Sequence, residues 1–198
     1  FIEMGFNELS EHGNLNYIVP LTITSGDSMT GIQKLLFDHC KKIQISSYCD
    51  RPVQIFKNAH KKLSIISFTK SLSEDQFISM TKMHRLSSED DLAELINNLQ
   101  FISINDAPKL EGRLPKISKE IEKEILKKLF SYKPLSDLKT QQGKPVYYRS
   151  AGGMYFNVIT NYANNLSSEK SIKVEDRLVN PLSGILSSTL FWWYQQVY

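Results

Sequence analysis

Short apolar runs alternate with helical patterns through the first third of the chain. Residues 1–9 place apolar side chains three and four positions apart, which predicts a helix. A buried-type strand is predicted at 15–19, and a second helix is predicted to end near His39. Two further β-type runs follow at 43–47 and 63–68. Helices that alternate with strands predict a layered α/β unit with a mostly parallel sheet.

The pattern changes at a polar stretch, residues 71–75. Residues 76–83 alternate between apolar and polar side chains, as a strand does, and a short helix and another short strand follow. The clearest helix is predicted at 116–132, where alternating Glu and Lys residues are typical of a solvent-facing surface. We therefore predict two domains, an α/β domain at 1–70 and an α+β region at 71–198.

The C-terminal part combines a predicted hairpin with a final helix. Residues 144–161 have the pattern of a strand, a turn or bulge at Gly152 and Gly153, and a second strand. The residues at 164–173 are mostly polar and predict a loop. Pro181 suits the first turn of the last helix, because that turn does not need its missing N–H.

Composition is that of an ordinary globular protein. The chain has 198 residues, of which 41% are hydrophobic and 23% charged, and its net charge is +3. No apolar run approaches the roughly 20 residues that span a bilayer, and the N-terminus lacks signal-peptide features. We expect a cytoplasmic protein with no membrane partner. Cys40 and Cys49 are expected to be reduced thiols, and the four histidines lack metal-ligand spacing.

The most distinctive segment is the loop Asp50–Lys62, between the second and third predicted strands. A loop this long inside a compact sheet is usually functional. It holds one aromatic residue, Phe56, among positively charged residues: Arg51, Lys57, His60, Lys61 and Lys62. An aromatic face surrounded by positive charge suits an unstacked nucleobase and its phosphates. The alternative is that Phe56 fills the core beneath its own loop.

A second group of aromatic and basic residues lies in the predicted hairpin. Strand alternation puts Tyr147 and Arg149 on one face and Tyr148 on the other, so one of the two faces is expected to be core. Gly152 and Gly153 either contact phosphate through their backbone or form a turn that requires positive φ. Nucleic-acid contact and ordinary packing therefore both remain open for this group.

Several ordered blocks of the sequence resemble one protein family. The blocks are NLNYIVPLTITSGDSM, IQKLLFDHCKKIQISSYCDRPVQIFKNAHKKLSIISF, EIEKEILKKL, YYRSAGGMYF and LSSTLFWWYQQVY. Together they resemble the second half of the catalytic domain, and the region after it, of N6-adenine DNA methyltransferases. The similar group is the type IIG-like one from restriction–modification systems, in which methyltransferase and specificity regions share a chain.

The resemblance implies a fold and a role for particular residues. It implies the C-terminal part of a Rossmann-like sheet that binds S-adenosyl-L-methionine, followed by a target-recognition region that binds double-stranded DNA. Residues 17–20 would form the strand after the catalytic motif, and 43–47 and 63–68 the last two strands, the final one antiparallel. Phe56 would stack on a flipped adenine. Residues that would contact DNA are Arg51, Lys57, His60, Lys61, Lys62, Tyr147, Arg149, Gly152 and Gly153.

The sequence also departs from the family. The Asn/Asp-Pro-Pro-Tyr/Phe motif that holds the adenine amino group is absent, and so is the glycine-containing motif for the methionine end of the cofactor. We therefore expect no methyl transfer from this chain alone, and we expect the missing N-terminal half of the catalytic domain or a second copy to complete the sheet. Two alternatives are a non-catalytic DNA-binding specificity module and a fragment that binds another protein through an exposed sheet edge.

Overall fold

A computed structural model describes residues 1–56, 60–71, 76–149 and 159–198. The chain forms two compact units, one of Phe1–Leu129 with Val197–Tyr198 and one of Phe130–Gln196. The elements up to residue 130 are α1 (Ile2–Glu8), β1 (Asn14–Pro20), α2 (Thr22–Ser25), α3 (Thr30–His39), β2 (Cys40–Tyr48), β3 (Leu63–Lys70), β4 (Phe77–His84), α4 (Asp91–Asn97), β5 (Ile102–Ser103) and α5 (Glu120–Phe130).

The first unit is built on a five-stranded sheet with the order β1-β3-β2-β4-β5. Only β2 and β4 pair in parallel, and the other three pairings are antiparallel. The fold is thus mixed α/β with a mostly antiparallel sheet, and the expectation of a mostly parallel sheet was wrong. The reason is that β2 and β3 are neighbours in the sheet. The connection between them reverses the direction of the chain and does not cross over the sheet, so the two strands pair antiparallel.

Alternation along β2 and β3 produces the sheet's buried face. Ile43 lies opposite Phe68 and Ile45 opposite Ile66, and all four side chains are buried. β1 lies at the sheet edge, where every second residue is exposed. β2 and β3 therefore lie inside the sheet, each with a paired strand on both sides, and the 49–62 loop joins them at their shared end.

The boundary between the compact units differs from the sequence prediction. β4 pairs with β2 and β5 pairs with β4, so 77–103 complete the first sheet instead of beginning a second domain. The units divide between Leu129 and Phe130. A polar stretch in a sequence does not distinguish a connection within a sheet from a linker between domains, which explains the difference from the predicted boundary at 71.

α5 begins four residues later than predicted. The backbone N–H groups of Ser118 and Lys119 donate to the Glu122 carboxylate, which caps the helix start. Lys123 is buried and pairs with Asp106 at 3.0 Å and Glu120 at 2.9 Å, so the charged face is not wholly solvated as predicted. A buried lysine needs such acceptors because an unpaired buried charge is costly.

The second unit is a small sheet with two helices. Val146 and Val174 are fully buried and pack with three apolar side chains of α6: Val179, Leu182 and Leu186. The strands pair antiparallel in the order β7-β6-β8. Its elements are β6 (Lys139–Arg149), β7 (Ile159–Thr160), β8 (Glu169–Val174), α6 (Val179–Leu186) and α7 (Thr189–Val197).

Two predictions for this unit need correction. The loop predicted at 164–173 overlaps strand β8, in which exposed Lys170, Ser171 and Lys173 conceal the inward alternation of Ile172 and Val174. The C-terminal segment was predicted as a single final helix, but it forms two helices, α6 and α7. Across the described part of the chain, no helix combines the length and apolar character needed to cross a bilayer.

Candidate nucleic-acid interface

Three strands of the first unit end at one edge of the sheet. β1 and β2 are both antiparallel to β3, and β4 is parallel to β2, so β1, β2 and β4 run in the same direction. The segments that follow them therefore meet at their shared carboxyl edge. Mostly parallel open α/β sheets bind ligands outside such an edge, and in this mostly antiparallel sheet the loops after β1, β2 and β4 converge there.

The loop at 49–62 is held to this edge at three points. The Cys49 N–H donates to the carbonyl of His84 at 2.8 Å, and the Leu21 N–H donates to the carbonyl of Lys62 at 3.0 Å. Between them, Val53 forms an isolated antiparallel bridge with Leu86. These contacts bring the loop beside the ends of both β1 and β4.

Phe56 is 46% exposed within this loop. It is therefore not a buried plug under the loop, and its aromatic face is available to a ligand. Its stacking on a base stays a prediction. The described basic residues around it are also exposed: Arg51, His60, Lys61 and Lys62. Lys57 lies outside the described residues.

A cation that sequence reasoning missed lies at the same edge. Lys116 is only 3% exposed, and its Nζ has no hydrogen-bond partner within the described parts of the chain. Burial, together with the nearby cations Lys62 and Arg113, lowers the pKa of Lys116 from 10.5 to about 7. The sequence placed Lys116 at the start of an exposed helix, and no local pattern indicates its burial.

Hydrogen bonds fix the segment that carries Lys116. The Leu114 N–H donates to the carbonyl of Thr24 at 2.8 Å, and Ser25 forms a bridge with Arg113. The Lys116 N–H donates to the carbonyl of Val197 at 2.9 Å. The segment therefore lies against the residues that directly follow β1.

Buried groups below the loop are poor nucleophiles. Burial raises the pKa of the Cys49 thiol, although the nearby Arg85 and Lys62 oppose this. Burial lowers the pKa of His84, and its Nε2 has no hydrogen-bond partner in the part of the chain that the structure describes. A protonated thiol and a neutral imidazole suit packing better than covalent chemistry. Both cysteines are free, as expected.

The second unit carries the other predicted group. Tyr147 and Arg149 lie on the face of β6 opposite the buried Val146, as alternation predicted. The β6–β8 register places Ser171 and Lys173 on the same face as Tyr147. All four side chains are exposed or half-buried. Gly152, Gly153 and Tyr155 lie outside the described residues.

Net charge differs between the two units. Residues 130–196 contain seven basic and four acidic residues, whereas the remainder contains seventeen of each. The net charge of +3 therefore belongs to the second unit. Such an excess favours polyanionic partners, provided that it is concentrated on one surface.

Other kinds of site find little support. An open groove lies between α1 and α3, beside the start of β2 and at the opposite end of that strand from Phe56. It is lined by Glu3, Gly31, Ile32, Lys34, Leu35, Asp38 and His39. Within the described ranges, no group of three or more His, Cys, Asp or Glu residues is arranged to hold a metal ion.

Comparison with known proteins yields distant structural likeness alone. No protein-family model matches the chain, and no curated protein is detectably similar to it. One similar solved structure is the ATP-dependent Type ISP restriction-modification enzyme LlaBIII bound to DNA, with 13% identity and a TM-score of 0.37. The match covers 55% of this chain and 9% of that one. At this identity and TM-score the likeness supports no conclusion about function.

Proposed function

We propose that this chain is part of an adenine-specific DNA methyltransferase of a restriction–modification system. The first unit would hold the C-terminal part of the catalytic domain, and the second would belong to the target-recognition region. The observation that carries this proposal is the exposed Phe56, on a loop with exposed cations at the carboxyl edge of the sheet. Double-stranded DNA is the proposed partner.

Strand directions agree with this proposal. The resemblance in sequence implies that β3 runs antiparallel as the last strand of the catalytic sheet, although β4 and β5 continue the sheet of the first unit beyond β2. β3 does run antiparallel to both of its neighbours, β1 and β2. The pairing leaves the Phe56 loop at the end of the sheet where β1 also ends, and β1 is the strand that would follow the catalytic motif.

Phe56 would act by stacking on an extrahelical adenine. The adenine amino group is inaccessible inside the duplex, so the base must first leave the stack at a cost of a few kcal/mol. Stacking on an aromatic ring contributes about 1–3 kcal/mol and offsets part of that cost. Arg51, His60, Lys61 and Lys62 would bind the flanking phosphates, which makes affinity dependent on salt.

We propose that the site for S-adenosyl-L-methionine lies mostly outside this chain. Both family motifs that contact the cofactor and the amino group are absent from the sequence. The described groove has charged walls and lies at the other end of β2 from Phe56. We therefore assign this chain the binding of base and phosphate, and no step of methyl transfer.

Phe56→Ala tests the stacking role. We expect the variant to bind a duplex containing an adenine opposite an abasic site about 5- to 100-fold more weakly, because the stacking energy is lost. Its affinity for a fully paired duplex should change little. Phe77→Ala is the matched control, because Phe77 is also 46% exposed but lies at the start of β4, away from the loop. Equal losses for both variants would contradict the proposal.

The second candidate function is a non-catalytic DNA-binding specificity module. It is favoured by the net charge of the second unit and by Tyr147 and Arg149 on one face of its sheet. In that case Arg149→Ala should weaken binding to every duplex, whereas Phe56→Ala should have no effect even on the extrahelical adenine. Binding that does not respond to salt would instead indicate a protein partner.

A further inference from the structure

The buried ammonium of Lys116 is the most unusual group in the first unit. Burying a charge without a partner is costly, so buried lysines normally have acceptors, as Lys123 has in Asp106 and Glu120. Lys116 is as deeply buried as Lys123, yet its Nζ has no partner among the described residues. An anion that reached Lys116 would supply the missing acceptor.

The surroundings of Lys116 favour an anion over a cation. The nearest charges that act on it are those of Lys62 and Arg113, and both are positive. Lys62 is exposed and the Arg113 side chain is 43% exposed, so the cluster extends from the interior to the surface. A flexible four-carbon stem allows the Lys116 ammonium to move toward a ligand held between these two residues.

One carboxylate opposes this arrangement. Asp27 accepts hydrogen bonds from Nε and Nη2 of Arg113, at 3.0 and 3.4 Å. This pairing neutralises the charge of Arg113, whereas no ion pair with an acid is found for Lys62 or Lys116 within the described residues. An arriving anion with several oxygens could share Arg113 with Asp27 while accepting from the two lysines.

We propose that Lys62, Arg113 and Lys116 form a binding site for a phosphate group. The three residues lie on segments held together by the bonds from Leu21 to Lys62 and from Leu114 to Thr24. A phosphate presents enough acceptor oxygens for two ammonium groups and one guanidinium. The group belongs either to a DNA backbone or to a free phosphate compound. Only the first source rests on the proposed function.

Inorganic phosphate is the direct probe of this site. We expect phosphate to raise the melting temperature of the whole chain saturably at constant ionic strength, with chloride as the reference salt. Lys116→Met keeps the length of the side chain and suits a buried position, so it should fold and lose this rise. Asp27→Asn should saturate at a lower phosphate concentration, because Arg113 is released.

Lys109→Met is the matched control, because Lys109 is a neighbouring lysine that donates to the carbonyl of Asn105 and takes no part in the cluster. It should keep the rise in melting temperature. No saturable rise in the wild-type protein, or an equal rise in Lys116→Met, would overturn the proposal.

DNA binding distinguishes the two sources of phosphate. If the site holds a backbone phosphate, Lys116→Met should reduce the slope of log affinity against log salt by about one. If inorganic phosphate stabilises the protein but the slope is unchanged, the occupant is a free phosphate compound. Failure of the Phe56→Ala test alongside a positive phosphate test would remove the proposed function and leave this site standing.

Discussion

Two residues of the first unit carry the proposals: Phe56 is exposed on its loop, and Lys116 is buried with no hydrogen-bond partner for its Nζ among the described residues. The residue pattern left base stacking and core packing both open for Phe56, and the side chain is half exposed. Lys116 was missed because a lysine that precedes a helical pattern looks exposed. Its burial arises from contacts with Thr24 and Val197 segments far away in sequence, which no local pattern contains. Lys123 was missed for the same reason, since its partner Asp106 lies in a separate loop.

The depressed pKa of Lys116 predicts a dependence of stability on pH. Its pKa is about 7 in the folded state and 10.5 when unperturbed, so between these values the unfolded state binds more protons. The free energy of unfolding should therefore rise as pH increases from about 7 toward 10. Lys116→Met should remove this rise and should be more stable than the wild-type protein at pH 7, by about 2 kcal/mol.

Urea unfolding followed by circular dichroism at pH 7 and pH 9.5 measures this difference. Burial raises the pKa values of Tyr48, Cys40 and Cys49, so these groups lower stability at high pH in both proteins. Comparing the two proteins cancels that effect. A wild-type advantage at pH 7 would show that Lys116 is paired in solution.

At the scale of elements, period-two alternation was reliable wherever one face was apolar. It placed β4 and put Tyr147 and Arg149 on one face of β6, whereas short apolar runs placed β1 and β3. It failed for β8, which has polar side chains on its exposed face and at its start. Alternation does not give the direction of a strand either. Direction depends on whether the connection between two strands crosses over the sheet, and the composition of the 49–62 loop does not show whether it does.

Replacement of glycine by alanine should have opposite effects on stability at two positions of the second unit. A Cβ at Gly143 would lie 2.0 Å from the carbonyl oxygen of Val174, where the β6–β8 register shifts. Gly143→Ala should therefore destabilise the unit by about 2 kcal/mol or more. A Cβ at Gly184 meets nothing within 4 Å inside α6, so Gly184→Ala should stabilise it by about 0.5–1 kcal/mol.

Intrinsic fluorescence can report these changes selectively. The chain has two tryptophans, Trp192 and Trp193, and both lie on α7 within the second unit. Urea midpoints from fluorescence should fall for Gly143→Ala and rise for Gly184→Ala. Equal midpoints for the two variants would mean that the β6–β8 pairing does not limit the stability of this unit.

At the scale of the whole molecule, the net charge is divided unequally between the two units. The overall excess of +3 resembles that of many proteins, but it lies in residues 130–196. The first unit is neutral overall, and its 49–62 loop carries four exposed basic residues among those described: Arg51, His60, Lys61 and Lys62. The two units therefore differ in charge: the second carries the net positive charge, and the first carries basic side chains on the loop that holds Phe56.

Two lysines on opposite faces of β8 test whether DNA binds to one face of the second sheet or responds only to the net charge of the unit. Lys173 lies on the sheet face that carries Tyr147 and Arg149, whereas Lys170 alternates to the other face. Both are exposed. If the Tyr147 face contacts DNA, Lys173→Ala should lower the salt dependence of binding by about one phosphate and Lys170→Ala should not. Equal effects would assign the binding to net charge alone.

The central claim, that Phe56 stacks on an extrahelical adenine, is most directly tested by fluorescence of 2-aminopurine. This analogue of adenine would be placed opposite an abasic site in a duplex that saturates the protein. We predict that the wild-type protein and Phe77→Ala quench its emission through ring contact, while Phe56→Ala leaves it bright. Equal quenching with and without the Phe56 ring, at matched saturation, would contradict the account.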